Sequence, residues 1–231
     1  MSEQHRSLGG GHVENTTIKR IDANTERCSG YLTIRLVPVF VPHEVLLLRH
    51  GETDWNKEGR MQGRIDRPLT ARGQDQARRQ GDLLATLASG PDRVEAYVSP
   101  LERAQQTARI ALRGRDFVTD PRLTEMGFGT WEGTTHAERM TTDPALAATA
   151  QNLFETYAKA PGAEPLDQVV ARCSDFLREI TGPVVVVSHR MTLTVMQAVL
   201  TGQSSRMNCD FEPPQGGILW IKGGQSRVYQ G

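Results

Sequence analysis

Two runs of four large aliphatic residues, Val45-Leu46-Leu47-Leu48 and Val184-Val185-Val186-Val187, limit the possible folds of this chain more than any other feature. Neither run alternates with polar residues, so each reads as a strand buried on both faces. Such strands lie inside a sheet that helices cover on two sides. The patterns between them agree. Thr70 to Ala88 reads as a helix, with Thr70 as N-cap and Leu83, Leu84 and Leu87 on an apolar side. Arg93 to Val98 reads as a strand. Ser99-Pro100-Leu101-Glu102 then reads as a capping box with proline at the first helical position, opening a helix to about Leu112. A brief strand over 117–119, helices over 143–158 and 165–181, a helix from Thr192 to Leu200 and a hairpin around Gly223-Gly224 complete the pattern. Strands that alternate with helices place the chain in the α/β class with a mostly parallel sheet.

The expected domain division is an N-terminal extension over 1–43 and one catalytic-sized unit over 44–231. Residues 1 to about 30 carry Gly9-Gly10-Gly11 and few large apolar side chains, a composition that predicts partial disorder. Residues 31–41 have strand-like composition, but Pro38 limits them to an edge strand or an irregular extended segment. Three readings of the extension compete: a tail with one added strand, a regulatory or partner-binding arm, or a stretch upstream of a true start near Val41.

Lys+Arg and Asp+Glu both number 27, so the formal net charge is zero. The sequence therefore predicts no nucleic-acid partner, and no polybasic run suggests a membrane surface. The apolar stretch from Leu36 to Leu48 is interrupted by Pro38, Pro42, His43 and Glu44 and is too short to span a bilayer. Cys28, Cys173 and Cys209 are odd in number and have no metal-ligand spacing. They read as reduced thiols of a cytoplasmic protein.

In open α/β sheets, ligands bind beyond the carboxyl ends of the strands. Three predicted strand ends carry Arg49-His50, Ser99 with Arg103, and Ser188-His189. Any one of these residues alone reads more simply as a packed histidine or a solvated arginine. Two histidines and two arginines converging on one sheet edge point to an anion site. Arg103 also falls in the first turn of its helix, where free N–H groups favour anions.

Arg49-His50-Gly51-Glu52-Thr53 directly after a buried strand resembles the signature of the histidine phosphatase superfamily, in its phosphoglycerate mutase-like branch. Asn56, Gly59-Arg60, Gln62-Gly63, Asp66, Pro68-Leu69-Thr70 and Gly73 continue the likeness. Ser99-Pro100-Leu101 with Arg103-Ala104 and Thr107-Ala108 forms a second block. Leu123, Glu125, Gly129 and Trp131-Glu132-Gly133 form a third, and Ser188-His189 a fourth. The resemblance runs from about Val45 to Leu200 and implies a three-layer α/β/α sandwich. It also implies that His50 attacks phosphorus and becomes phosphohistidine. Arg49, Arg103 and His189 would bind and stabilise the phosphoryl oxygens, and Glu125 would carry the proton of the leaving group. Asn56, Gln62 and Gly63 are further phosphate or substrate contacts, whereas Glu132, Trp55 and Trp131 read as structural. Phosphoryl transfer of this kind is chiefly positioning and charge stabilisation, so no metal and no cofactor are expected.

The expected partner is a small-molecule phosphate monoester, hydrolysed by a phosphatase. A mutase that returns the phosphoryl group to a phosphoglycerate is the enzymatic alternative. Mutases of the family usually insert a long segment between the glutamate and the second histidine, and only 64 positions separate Glu125 from His189 here (189 − 125). A phosphoprotein phosphatase and a non-catalytic binding protein are further alternatives. Dimers are common in the family, so the oligomeric state stays open between monomer and homodimer. The chain departs from the family pattern at Arg190, where glycine is usual, and around 207–217. Glu164 and Arg172 are expected to form a structural pair.

Overall fold

The computed structural model describes residues 31–32, 36–87, 94–142, 157, 160–202, 207–208 and 212–230. The glycine-rich start, most of the helix expected over 143–158, Cys28 and Cys209 lie outside the described residues.

Both aliphatic runs are strands, β2 (Val45–Arg49) and β5 (Val184–Ser188), every residue of which is buried. They pair in parallel, from Val45 opposite Val184 to Arg49 opposite Ser188. On the far side of β5 lie β3 (Glu95–Val98) and then β4 (Val118–Thr119), both parallel. On the far side of β2 the hairpin β7 (Gly217–Lys222) and β8 (Gln225–Gln230) adds two antiparallel strands. The order is β4-β3-β5-β2-β7-β8. A separate antiparallel pair joins β1 (Tyr31–Leu32) to β6 (Met207–Asn208).

Successive strand side chains point to opposite faces, and the core divides accordingly. Leu46, Leu48, Val185 and Val187 pack with Leu83 and Leu84 of α2 (Ala71–Leu87) and with Ala104 and Ala108 of α3 (Glu102–Ala111). Val45, Leu47, Val184 and Val186 pack with Val169, Phe176 and Leu177 of α5 (Leu166–Arg178) and with Met191 and Val195 of α6 (Arg190–Thr201). The result is a three-layer sandwich in which each fully buried aliphatic side chain contributes about 1.5–3 kcal/mol. Two short helices, α1 (Asp54–Glu58) and α4 (His136–Thr142), lie nearer the site. Cys173 is buried and free, and burial pushes its thiol up to about 12, which leaves it inert.

Among the described residues of the segment over 31–41, Tyr31–Leu32 form a strand and 36–41 do not. Beyond it, Leu36, Val39 and Val41 enter the α5/α6 side of the core, and the Val39 N–H donates to the Val199 carbonyl at 3.2 Å. Helix α6 starts at Arg190, two residues before the expected Thr192.

One local expectation fails. Ser99 does not cap α3, whose N-cap is Leu101 with no side-chain hydrogen bond of its own. The Asp66 carboxylate, brought in from the loop after α1, accepts from the backbone N–H groups of Glu102 and Arg103 instead. A full negative charge at a helix N-terminus satisfies those donors better than a neutral hydroxyl. The anion-binding capacity expected of that helix end is therefore already used by Asp66.

Candidate active site

The carboxyl ends of β3, β5 and β2 are neighbours, so the topology brings Ser99, His189 and His50 to one edge. The His50 N–H donates to the Ser188 carbonyl at 3.0 Å, and the Ser99 N–H donates to the Val187 carbonyl at 3.0 Å. A cavity of about 380 Å³ opens over this edge. Every residue assigned above to phosphate chemistry lines it except His189, which is wholly buried and packs against His50.

His50 is held by its backbone neighbourhood. Gly51 approaches Gly73 so closely that a Cβ on Gly51 would lie 2.2 Å from the Gly73 carbonyl oxygen, which only glycine permits. The Gly51 N–H donates to Thr107 Oγ1 at 3.0 Å. The turn aims the Gly51 carbonyl back at the ring, 2.8 Å from His50 Nδ1. A carbonyl only accepts, so Nδ1 carries the proton and the lone pair of the neutral ring is on Nε2. Burial, then the charges of Arg103 and Arg49, hold His50 well below the ordinary histidine value, against the opposing hydrogen bond that the ring donates to the Gly51 carbonyl. The ring is neutral at physiological pH.

Arg103 is 1% exposed, and its fork is already engaged. Nη2 donates to the Gly63 carbonyl at 2.7 Å, and Nη1 donates to the Ile65 carbonyl at 3.0 Å and to Asp66 at 3.1 Å. Its Nε is buried with no hydrogen-bond partner, as is the Nε of Arg49. These contacts engage both Nη atoms of Arg103, so its Nε is what it has left for a ligand. Gly63 serves through its carbonyl; its φ of 53° and the packing of Glu132 leave no room for a side chain. Glu132 accepts from the N–H groups of Arg64 and Phe128, at 3.1 and 3.0 Å.

Glu125 is 6% exposed. Its carboxylate accepts from the Met126 N–H at 2.9 Å, from the Met191 and Thr192 N–H groups at 3.2 Å each, and from the Thr192 hydroxyl at 3.3 Å. The start of α6 thus fixes its orientation at the cavity wall. Asn56 closes a capping box on α1 with Thr53, and its Oδ1 also accepts from Gln215 at 3.1 Å. Only its Nδ2 remains for a ligand. Gln62 leaves its Oε1 buried without a partner. Glu164 and Arg172 are 3.0 Å apart and link α5 to the loop before it.

Several side-chain contacts at the cavity carry no signal in the sequence. Glu212 accepts from Arg49 Nη1 at 2.5 Å and lies 3.8 Å from Arg190. Burial works against its charge, but Arg49 outweighs burial and lowers the carboxyl below its ordinary value. Gln215 donates to the His50 carbonyl at 3.2 Å. Arg139 and Tyr157 also line the cavity. Among the described residues, no three His, Cys, Asp or Glu side chains cluster as a metal site, and no helix is long and apolar enough to cross a membrane.

Comparison with known proteins agrees with this arrangement. The profile of the histidine phosphatase superfamily (branch 1) matches residues 45–228. Adenosylcobalamin/alpha-ribazole phosphatase of Escherichia coli (strain K12) is 34% identical over 178 residues, covering 74% of this chain and 85% of that protein. Phosphoglycerate mutase 1 of Saccharomyces cerevisiae is 35% identical over 127 residues, covering 53% of this chain but only 48% of its own length. The solved structure of Bacillus stearothermophilus YhfR superposes with a TM-score of 0.67 at 30% identity, covering 80% of this chain and 95% of that one. The chain belongs to the histidine phosphatase superfamily, branch 1.

Proposed function

We propose that the protein hydrolyses small phosphate monoesters in two steps through a phosphohistidine on His50. The observation that carries this reading is the His50 Nδ1 bond to the Gly51 carbonyl. It puts the lone pair on Nε2 of a neutral ring, beside Arg49 and Arg103, each with a buried Nε in need of an acceptor. In the first step the Nε2 pair forms the N–P bond, the P–O ester bond breaks, and Glu125 gives its proton to the departing oxygen. In the second, water oxygen attacks phosphorus, Glu125 takes the water proton, and the N–P bond breaks with its pair returning to Nε2. Phosphate is released and Glu125 is again protonated. The arginines act by holding equatorial oxygens and offsetting their charge.

Hydrolysis is favoured over transfer because the described phosphatase relative is matched over most of its length and the mutase over about half. The short span from Glu125 to His189 fits the same choice. The test is phosphate release from a panel of phosphomonoesters in EDTA by wild type and His50→Ala. Release that persists in EDTA and vanishes in the variant supports the reading. Release unchanged in His50→Ala, or none from any ester, overturns it; in the second case phosphoglycerate interconversion is assayed next.

A further inference from the structure

We propose that Ser99 is a positioning residue that sets the tautomer of His189, holding the proton on Nδ1 so that this nitrogen can donate to a phosphoryl oxygen. The inference rests on the phosphohistidine reading above. It follows from accounting for every hydrogen in a closed space. Ser99 and His189 are both 0% exposed, and Ser99 Oγ lies 2.7 Å from His189 Nε2. Among the described residues, the hydroxyl has one other contact, the Leu101 N–H, 3.3 Å away, from which it accepts.

Two arrangements are open to the pair. If His189 carries its proton on Nε2, Ser99 accepts twice and its own hydrogen has no acceptor in a buried position. An unsatisfied buried donor of this kind costs about 1–3 kcal/mol. If Ser99 instead donates to Nε2, its hydroxyl is satisfied in both roles and the imidazole proton moves to Nδ1. The second arrangement leaves one unmet group, His189 Nδ1, which is buried and has no partner. That nitrogen belongs to the ring packed 5.2 Å from His50. A phosphoryl group entering to meet His50 Nε2 supplies the missing acceptor. In the other tautomer, Nδ1 would present a lone pair to the same oxygens and repel them.

This also accounts for the failed capping box. Ser99 sits at the end of β3, where a serine before Pro100 reads as a helix cap, yet Asp66 takes that task and frees the hydroxyl for His189. A neutral His189 is required throughout, and burial together with Arg103 keeps the ring well below the ordinary histidine value.

The test is nitrogen-detected NMR of the full chain labelled with ¹⁵N-histidine, with His189 assigned from the signal lost in His189→Gln. The expected wild-type pattern is a protonated, pyrrole-type Nδ1 and a pyridine-type Nε2. Ser99→Ala should shift His189 towards the opposite tautomer and lower kcat about ten- to hundredfold, no more than the roughly hundredfold or larger loss from removing a preorganised donor outright. Ser99→Thr keeps a hydroxyl and should restore both the spectrum and kcat. A wild-type Nε2–H tautomer overturns the proposal, as does a Ser99→Ala protein with unchanged spectrum and kcat. Should Ser99→Ala not fold, the wild-type and Ser99→Thr spectra decide alone. Failure of the phosphohistidine reading shows separately, as phosphate release that survives His50→Ala.

Discussion

His50 and His189 lie with ring centroids 5.2 Å apart and 52° between their planes, both buried beside Arg49 and Arg103. Two imidazoles this close, among two guanidinium charges, cannot both be protonated cheaply. The site therefore stays neutral at its histidines and positive at its arginines, which is the charge distribution that an incoming phosphate dianion requires.

That neutrality makes stability depend on pH. Both rings are held well below 6.5 in the folded protein, each by burial first; Arg103 and Arg49 act on both, and His189 also faces Arg172 and His50. Unfolded histidine titrates near 6.5, so below that pH the unfolded chain binds protons that the folded chain refuses. Stability then falls on acidification from about pH 6.5 towards the depressed folded values, by up to about 1.4 kcal/mol per pH unit per histidine. Urea unfolding of wild type and His50→Asn at pH 7 and pH 5 checks this. The loss between the two pH values should be smaller in the variant.

Glu125→Gln should separate substrates by leaving group. The amide keeps the shape of the carboxyl but cannot donate and then recover a proton. Hydrolysis of an alkyl phosphate should slow by about 10²-fold or more. p-Nitrophenyl phosphate, whose leaving group needs no proton, should slow far less. Steady-state kcat on the two esters is the measurement, and equal slowing would remove Glu125 from the role of leaving-group acid.

Glu212→Gln should strengthen phosphate binding. The carboxylate holds Arg49 Nη1 and would lie next to a bound phosphoryl group of the same charge. Removing that charge while keeping the side chain's size should lower both KM and the inhibition constant for inorganic phosphate, severalfold to about tenfold. Competitive inhibition by phosphate at pH 7 measures it. Unchanged constants would mean that Glu212 leaves Arg49 when the ligand arrives at no net expense.

Gly51→Ala should damage both fold and chemistry. The added methyl would lie 2.2 Å from the Gly73 carbonyl oxygen, so either the turn or the start of α2 must move. About 1–3 kcal/mol of stability should be lost, lowering Tm by several degrees for a chain of this size. The shift also withdraws the carbonyl that fixes the His50 tautomer. Thermal unfolding and kcat together read the two consequences.

The sheet was legible in the sequence because Val45–Leu48 and Val184–Val187 admit no other environment. The register that aligns Arg49 with Ser188 follows from pairing those two runs. Arg49, His50 and His189 were legible because they stand at strand ends, Arg103 because it falls in the first turn of the helix after β3, and Glu125 through the family resemblance. Ser99 was misread: a serine three residues before Glu102 has the local form of a cap, and only the fold brings in Asp66 to do that work instead. Glu212 was not legible, and neither was the side-chain bond from Gln215 to the His50 carbonyl. Both residues act from 163 and 165 positions away along the chain, in a segment with no periodicity, and their partners are set by where β7 enters the sheet.

The most direct test of the account is to mix the enzyme with a ³²P-labelled phosphomonoester, quench within the first turnover, and map the label by peptide. The account predicts label on the His50 peptide, stable in alkali, lost in acid, and absent from His50→Ala. Steady phosphate release with no label on His50, or label on another residue, would contradict it.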